Sequence, residues 1–318
     1  MRRAPDELLP PIMRRVHDLC LAWNWEYDAD FVGLLEAACS SRGLSLWQVP
    51  PGALSDGLEC LHQGKTTFKT FLDRASDADA RFLSLVEWSE AHSIRQINPH
   101  DRAVHAMNKA SMHLEFITAG IQTPYTIILP PYDEHPQIDS PDTSPLGDNF
   151  IIKPAHGGGG EGVVFKVSSV DQVFGARRAF SGDHYLLQAH IAPAELAGRR
   201  AWFRVLYCSG KAYCFWWDMT KPVYIQVEED EERELGLSPL AEITMTIAGI
   251  CGLDLFSTEI ALTAAGVFVV VDYVNNPIDL RLQSAASDGV PDETVRDIAA
   301  RLADLVLENV NPVERGPG

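Results

Sequence analysis

The chain has 318 residues, of which 46% are hydrophobic and 22% charged. That is globular composition with core enough for about two domains, and it excludes a disordered, collagen-like or coiled-coil chain. The formal charge of −18, from 44 acidic against 26 basic residues, repels nucleic acid and anionic membrane surfaces, so neither is expected as a partner and a small anion would need a local basic pocket.

No apolar run reaches the ~20 residues of a membrane-spanning helix. Arg2 and Arg3 stand before no apolar stretch, so no secretory signal is read at the start. Cys20, Cys39, Cys60, Cys208, Cys214 and Cys251 are scattered without CxxC or zinc spacing. They read as reduced thiols of a cytoplasmic protein.

In chain order, residues 19–25 read as a strand. Residues 31–39 read as a helix, with Leu34, Leu35 and Ala38 at helical spacing and Gly43 as its stop. Strands follow at 44–49 and 68–72, a helix at 78–91 and a strand at 94–97. This alternation predicts an open, mostly parallel sheet with helices on its faces. Val104, Met107, Ser111, Leu114 and Ile117 share one face of a 3.6-residue period and predict a single helix ended by Gly120. Residues 130–148, with five prolines, read as a loop or insertion.

From Asn149 the pattern changes. A strand over 150–153 ends in Lys153, a glycine-rich stretch follows, and a second strand covers 163–167, which reads as a hairpin. More strands are predicted at 185–190, 202–208 and 212–217, the last two turning at Gly210. The acidic run 228–234 is a solvated helix start or loop. A helix over 243–252, a strand pair at 256–262 and 267–272, and a final helix carrying Val295, Ile298, Leu302, Leu305 and Val306 complete the reading.

Two groups of residues carry chemistry. Gly157, Gly158, Gly159 and Gly160, with Gly162 close behind, remove the Cβ atoms from the hairpin tip and let backbone N–H groups approach phosphate oxygens. Such a run is also what a flexible hairpin tip looks like, but Lys153 on the preceding strand adds a cation suited to a polyphosphate. About 110 residues on, Glu259 lies on one predicted strand and Asp272 and Asn275 end the next. Hard oxygen donors on neighbouring strand ends suit Mg²⁺; Asp272 and Asn275 alone equally suit a turn-capping pair. Gly64-Lys-Thr66 imitates the end of a P-loop, but Glu59 stands where that motif needs glycine.

Together these residues resemble the ATP-grasp superfamily, in the branch of ribosomal-protein S6 glutamate ligase, glutathione synthetase and D-alanine ligase. The resemblance implies a mixed α/β fold: an N-terminal pre-ATP-grasp domain over 1–99, a nucleotide subdomain with the glycine hairpin over 100–187, and a C-terminal subdomain with the metal and acceptor site over 188–318. It implies that Lys109 and Lys153 contact ATP under the glycine hairpin. The strand around Gln188 and His190 would hold adenine, and Glu195 would meet the ribose hydroxyls. Arg204 would face the triphosphate or acyl phosphate, and Arg74 would face the site from the first domain. Mg²⁺, with Mn²⁺ as a substitute, would sit on Glu259, Asp272 and Asn275. Family members usually end the metal strand Glu-x-Asn; here Asp272 and Asn275 are one residue further apart, which requires a bulge or another backbone path. Arg281 would face the acyl phosphate with Asp279 as a bidentate partner, or be a surface ion pair.

The implied activity is an ATP-dependent, ADP-forming carboxylate–amine ligase working through an acyl phosphate on small-molecule substrates, an amino acid or peptide among them. Related ligases are often dimers or tetramers, which puts a homodimer among the expected assemblies. A kinase on the same fold and a nucleotide-binding protein without turnover are the alternative readings.

Overall fold

The computed structural model describes residues 14–218 and 222–311; the start of the chain read above for a signal lies outside them. The chain divides into two compact units, residues 1–97 with 303–318, and residues 98–302.

The first unit is built on strands β1 (Arg15–Trp23), β2 (Leu46–Val49), β3 (Thr66–Arg74) and β4 (Arg95–Ile97), with helices α1 (Ala29–Ser41), α2 (Leu54–His62) and α3 (Leu83–Ala91) between them. The strands run parallel in the order β2-β1-β3-β4. Strand–helix alternation produces this because parallel neighbours need a crossover, and the crossover helix covers a sheet face. Phe68, Phe71, Phe82 and Leu85 fill the core between sheet and helices. The α2 helix was not expected from the sequence: Gly57 and the polar residues around it mask its pattern. Gly57 lets α2 pack closely on the Trp47 ring, which a Cβ there would meet at 3.0 Å.

The second unit opens with α4 (His100–Met107) and α5 (Lys109–Thr118), not one helix. Asn108 ends the first and caps the second: its backbone is extended, and its side chain accepts from the N–H groups of Ala110 and Ser111. The break resets the helical phase, and the face carrying Val104, Leu114 and Ile117 lies outward, each about half exposed (50%, 53% and 50%). The buried face is Ala110, Met112, His113 and Phe116. Phe116 packs edge-on against Tyr273, and an aromatic ring with a methionine buries more apolar area than the leucine and isoleucine turned out.

Strands β5 (Thr126–Leu129), β6 (Phe150–Pro154), β7 (Val164–Val167) and, after helix α6 (Val170–Ala176), β8 (Tyr185–Gln188) form an antiparallel sheet in the order β5-β8-β6-β7. The expected hairpin is β6–β7. Two short strands, β9 (Glu195–Leu196) and β10 (Arg199–Arg200), pair with each other. The last sheet, β13-β12-β11-β14-β15, is antiparallel and contains β11 (Trp202–Cys208), β12 (Lys211–Trp216), β13 (Ile225–Gln226), β14 (Leu255–Leu262) and β15 (Phe268–Asn275). The acidic run forms α7 (Glu229–Leu235), and α8 (Pro239–Cys251) covers the sheet around Phe203, Phe256 and Ile247. The last element among the described residues is α9 (Asp292–Val310). Among the described residues no helix is long and apolar enough to cross a membrane, and all six cysteines are free.

Candidate active site

A cavity of about 460 Å³ lies in the second unit, among β6, β8, β11, β14, β15 and the glycine hairpin. Most of the residues singled out by sequence line it: Lys109, Lys153, glycines 157–160, Gln188, His190, Arg204, Glu259, Asp272 and Asn275. Its lining sets four cations, Lys109, Lys153, Arg200 and Arg204, among four carboxylates, Glu161, Asp218, Glu259 and Asp272, so in a chain of charge −18 it concentrates positive groups without being cationic as a whole.

Lys153 is the electrostatic centre. It is 6% exposed, its Nζ donates to the Val271 carbonyl on β15 at 3.2 Å, and it stands over the Tyr273 ring at 5.1 Å. Burial lowers its pKa to about 8; Lys109 adds to the drop, while Asp272 and Glu259 oppose it. Lys109, the first residue of α5, donates from Nζ to the Gly157 carbonyl at 2.5 Å and tethers the glycine hairpin. Positive φ at Gly157, Gly159 and Gly160 shows why glycine is required there. Gly162 lies behind the tip rather than on the cavity: a Cβ would come within 2.6 Å of the Phe180 ring.

Glu259 and Asp272 face each other across β14 and β15. The register runs Ser257 to Asn275, Glu259 to Asp272, and Ile260 to Val270. Between the first two pairs β15 spends three residues against two on β14, so a bulge absorbs the extra residue between Asp272 and Asn275. Asn275 stays on the cavity and donates from Nδ2 to Asp272 Oδ2 at 3.0 Å. Burial opposes ionisation of Asp272, but Lys153, Lys109, the Asn275 hydrogen bond and Arg204 overcome it and hold its pKa below the usual carboxylate range. Glu259 is pushed the other way, by burial and then by the Asp272 charge. Two crowded carboxylates and an amide oxygen are a donor set that a divalent cation would relieve, so the residues fit Mg²⁺. Among the described residues no group of three or more His, Cys, Asp or Glu is placed to hold a metal.

The three arginines differ in how their charge is spent. Arg204, on β11 opposite Glu259, lies 3.6 Å from Glu259 Oε1 and 3.4 Å from Ser257 Oγ, contacts loose enough to leave its guanidinium facing the cavity. Arg281 is clamped by Asp279 at 2.7 Å and Asp288 at 2.9 Å and does not line the cavity; the bidentate Asp279 partner is present. Arg74 belongs to the first unit, 4% exposed, gripped by Asp28 at 2.8 and 2.7 Å. Its charge is matched inside that unit rather than presented to a ligand. Glu195 stands exposed on β9 and is not on the cavity.

Gln188 lies on the cavity wall, but its amide is committed: Nε2 donates to Thr126 Oγ1 at 3.0 Å and to Tyr273 Oη at 2.7 Å. His113 Nδ1 meets the same hydroxyl at 2.8 Å. Burial, aided by the Lys153 charge, lowers the His113 pKa. Sequence reasoning missed Arg200, Trp202, Trp217 and Asp218 on the cavity. The signal for Trp202 was present, since it lies two residues before Arg204 and shares its strand face.

The sequence matches no family model and no curated protein. Solved structures do match. A RimK-domain ATP-grasp protein from Sphaerobacter thermophilus is 18% identical, with TM-score 0.62 over 91% of this chain and 99% of that one. D-alanine–D-alanine ligase from Bacillus anthracis, complexed with ATP, is 13% identical, with TM-score 0.62 over 96% and 99%. The ATP-grasp ligase PsnB, complexed with precursor peptide PsnA2 and AMPPNP, is 13% identical, with TM-score 0.60 over 92% and 98%. The chain has the ATP-grasp fold. Within it, the β6–β7 hairpin carries Lys153 and the glycines, β8 forms the wall beside His190, and β14 and β15 carry the acidic pair.

Proposed function

We propose that the protein is an ATP- and Mg²⁺-dependent carboxylate–amine ligase that forms an amide bond through an acyl phosphate. The observation that carries the reading is the buried Lys153, within the electrostatic reach of Asp272 and Glu259, on the cavity that glycines 157–160 also line. The domain division in this reading is a pre-ATP-grasp domain over 1–99 followed by subdomains 100–187 and 188–318. Free thiols throughout suit a cytoplasmic enzyme.

In this mechanism Lys109 and Lys153 neutralise the phosphate chain, and the backbone N–H groups of the glycine tip close over its distal end. The adenine lies along residues 188–191, read by backbone and by His190, because the Gln188 amide is turned inward to Tyr273. Glu259, Asp272 and Asn275 would hold Mg²⁺, which would supply charge neutralisation to the phosphate chain. Arg204 faces the transferring phosphoryl group. A substrate carboxylate oxygen attacks the γ-phosphorus and ADP leaves; a substrate amine then attacks the acyl carbon and inorganic phosphate leaves. No side chain is a nucleophile, so catalysis is positioning and electrostatics. Amino acids and peptides supply both groups, and PsnB was solved with a precursor peptide.

The test begins with thermal melts against ATP, ADP and GTP, with and without Mg²⁺. A nucleotide at 100 times its Kd adds about 2.7 kcal/mol, and the expected shift is adenine-specific and larger with Mg²⁺. Hydroxylamine trapping over a panel of amino acids and peptides then looks for the acyl phosphate, with release of inorganic phosphate. A stable phosphorylated acceptor without phosphate release identifies a kinase; no shift at millimolar nucleotide identifies a protein without turnover.

A further inference from the structure

Trp202 lines the cavity, and the mechanism above does not use it. On β11 it pairs with Ala261, while Arg204, two residues on, pairs with Glu259. From there its indole Nε1 donates to Glu259 Oε2 at 2.9 Å. Glu259 is 9% exposed, so water does little to orient it. Its other oxygen, Oε1, faces the looser Arg204 contact at 3.6 Å. An indole N–H can only donate, so the contact decides which carboxylate oxygen is engaged. Asp272 is treated alike: the Asn275 amide ties one oxygen at 3.0 Å. Each acidic residue thus has one oxygen held by a neutral donor.

We propose that Trp202 is a positioning residue for the cation: its N–H fixes Glu259 so that Oε1 stands ready, with Asp272, for a divalent metal. The proposal rests on the reading of Glu259 and Asp272 as cation ligands. Donors behind a ligand set its orientation, and their loss weakens metal binding by roughly 10- to 100-fold.

The experiment is a Mn²⁺ titration of the protein–ADP complex by electron paramagnetic resonance. It compares the unaltered chain, Trp202→Phe, and a chain with 3-benzothienylalanine at position 202, which keeps the bicyclic ring and lacks the N–H. Each is repeated in a Glu259→Gln background. Both replacements should weaken Mn²⁺ by roughly 10- to 100-fold, leave metal-free ADP affinity unchanged, and cause no further loss once Glu259 is an amide. If the phenylalanine variant fails to fold, the ring isostere carries the test. Undiminished Mn²⁺ affinity in the isostere overturns the role of Trp202 alone, as does an equal loss in the Glu259→Gln background, which marks Trp202 as cavity wall only. An unaltered ADP complex that binds no Mn²⁺ overturns the cation reading and this proposal with it.

Discussion

Lys153→Met removes a buried cation that feels two buried carboxylates, and the opposite pH trends that Lys153 gives to stability and to affinity should vanish with it. Burial lowers the Lys153 pKa to about 8 against an ordinary 10.5. Between those values the unfolded chain holds a proton that the folded protein has released, so this group raises stability as pH rises, by up to about 3 kcal/mol at 1.36 kcal/mol per tenfold change. Nucleotide affinity moves the other way, because a polyphosphate needs the charged amine. Between pH 7 and 9 the protonated fraction falls from about nine-tenths to about one-tenth, so ADP should bind about tenfold more weakly. The assay is calorimetric titration of ADP without metal, with urea unfolding, at both pH values for the unaltered protein and Lys153→Met. Buried thiols at Cys39 and Cys251, pushed up to about 11, and at Cys208 and Cys214, pushed up to about 12, lower stability as pH passes their ordinary value, and comparing the two proteins cancels them. An ADP affinity flat from pH 7 to 9, or the same fall in Lys153→Met, would refute the assignment of Lys153 to the phosphates.

Glu259→Gln removes the carboxylate that burial and Asp272 push up; melts should show a gain of about 1 kcal/mol in the ligand-free protein while phosphate release is lost, the trade expected of a strained active site. Gly162→Ala places a Cβ 2.6 Å from the Phe180 ring at a φ of +71°, costs about 1–3 kcal/mol, and should weaken ADP binding; Gly158→Ala, with open space and no positive φ, is the control whose stability stays unchanged. Asp28→Asn takes the carboxylate from Arg74 in a pair whose side chains are each 2% exposed and should cost about 3–5 kcal/mol in urea unfolding.

The site was more legible in the sequence than the helices were. Lys153, the glycine run and Asp272 stand out because each belongs to a short segment whose chemistry is local, a strand end or a backbone without Cβ atoms, while Arg204 comes from the family resemblance; all of them line one cavity. The odd spacing of Asp272 and Asn275 called for a bulge or another backbone path, and a register shift is there. Periodicity failed where its premise failed. The pattern through Val104, Leu114 and Ile117 assumed one continuous helix, and the Asn108 cap breaks it. Glu195, Arg281 and Arg74 are a different lesson, since nothing local in a sequence tells whether a charged side chain meets a ligand or a partner distant in the chain. Asp28 lies 46 residues from Arg74, and Asp288 is brought to Arg281 by a loop.

How each arginine is held bears on what it can do. A guanidinium gripped at 2.7–2.9 Å by carboxylates, as at Arg281, has its charge answered before any ligand arrives, and a phosphoryl oxygen would have to compete with those partners. Arg204 touches Glu259 only at 3.6 Å and lies over the Trp217 ring at 5.1 Å, an arrangement that shields the cation from water without neutralising it. Lys153 is in the same position, its charge kept on in spite of burial by carboxylates that a cation would claim. Under the proposed reading an anion would answer Arg204 and Lys153, and a metal would answer Glu259 and Asp272. Binding of nucleotide and divalent cation should for that reason be cooperative, and the coupling should shrink when either member of the acidic pair is made neutral.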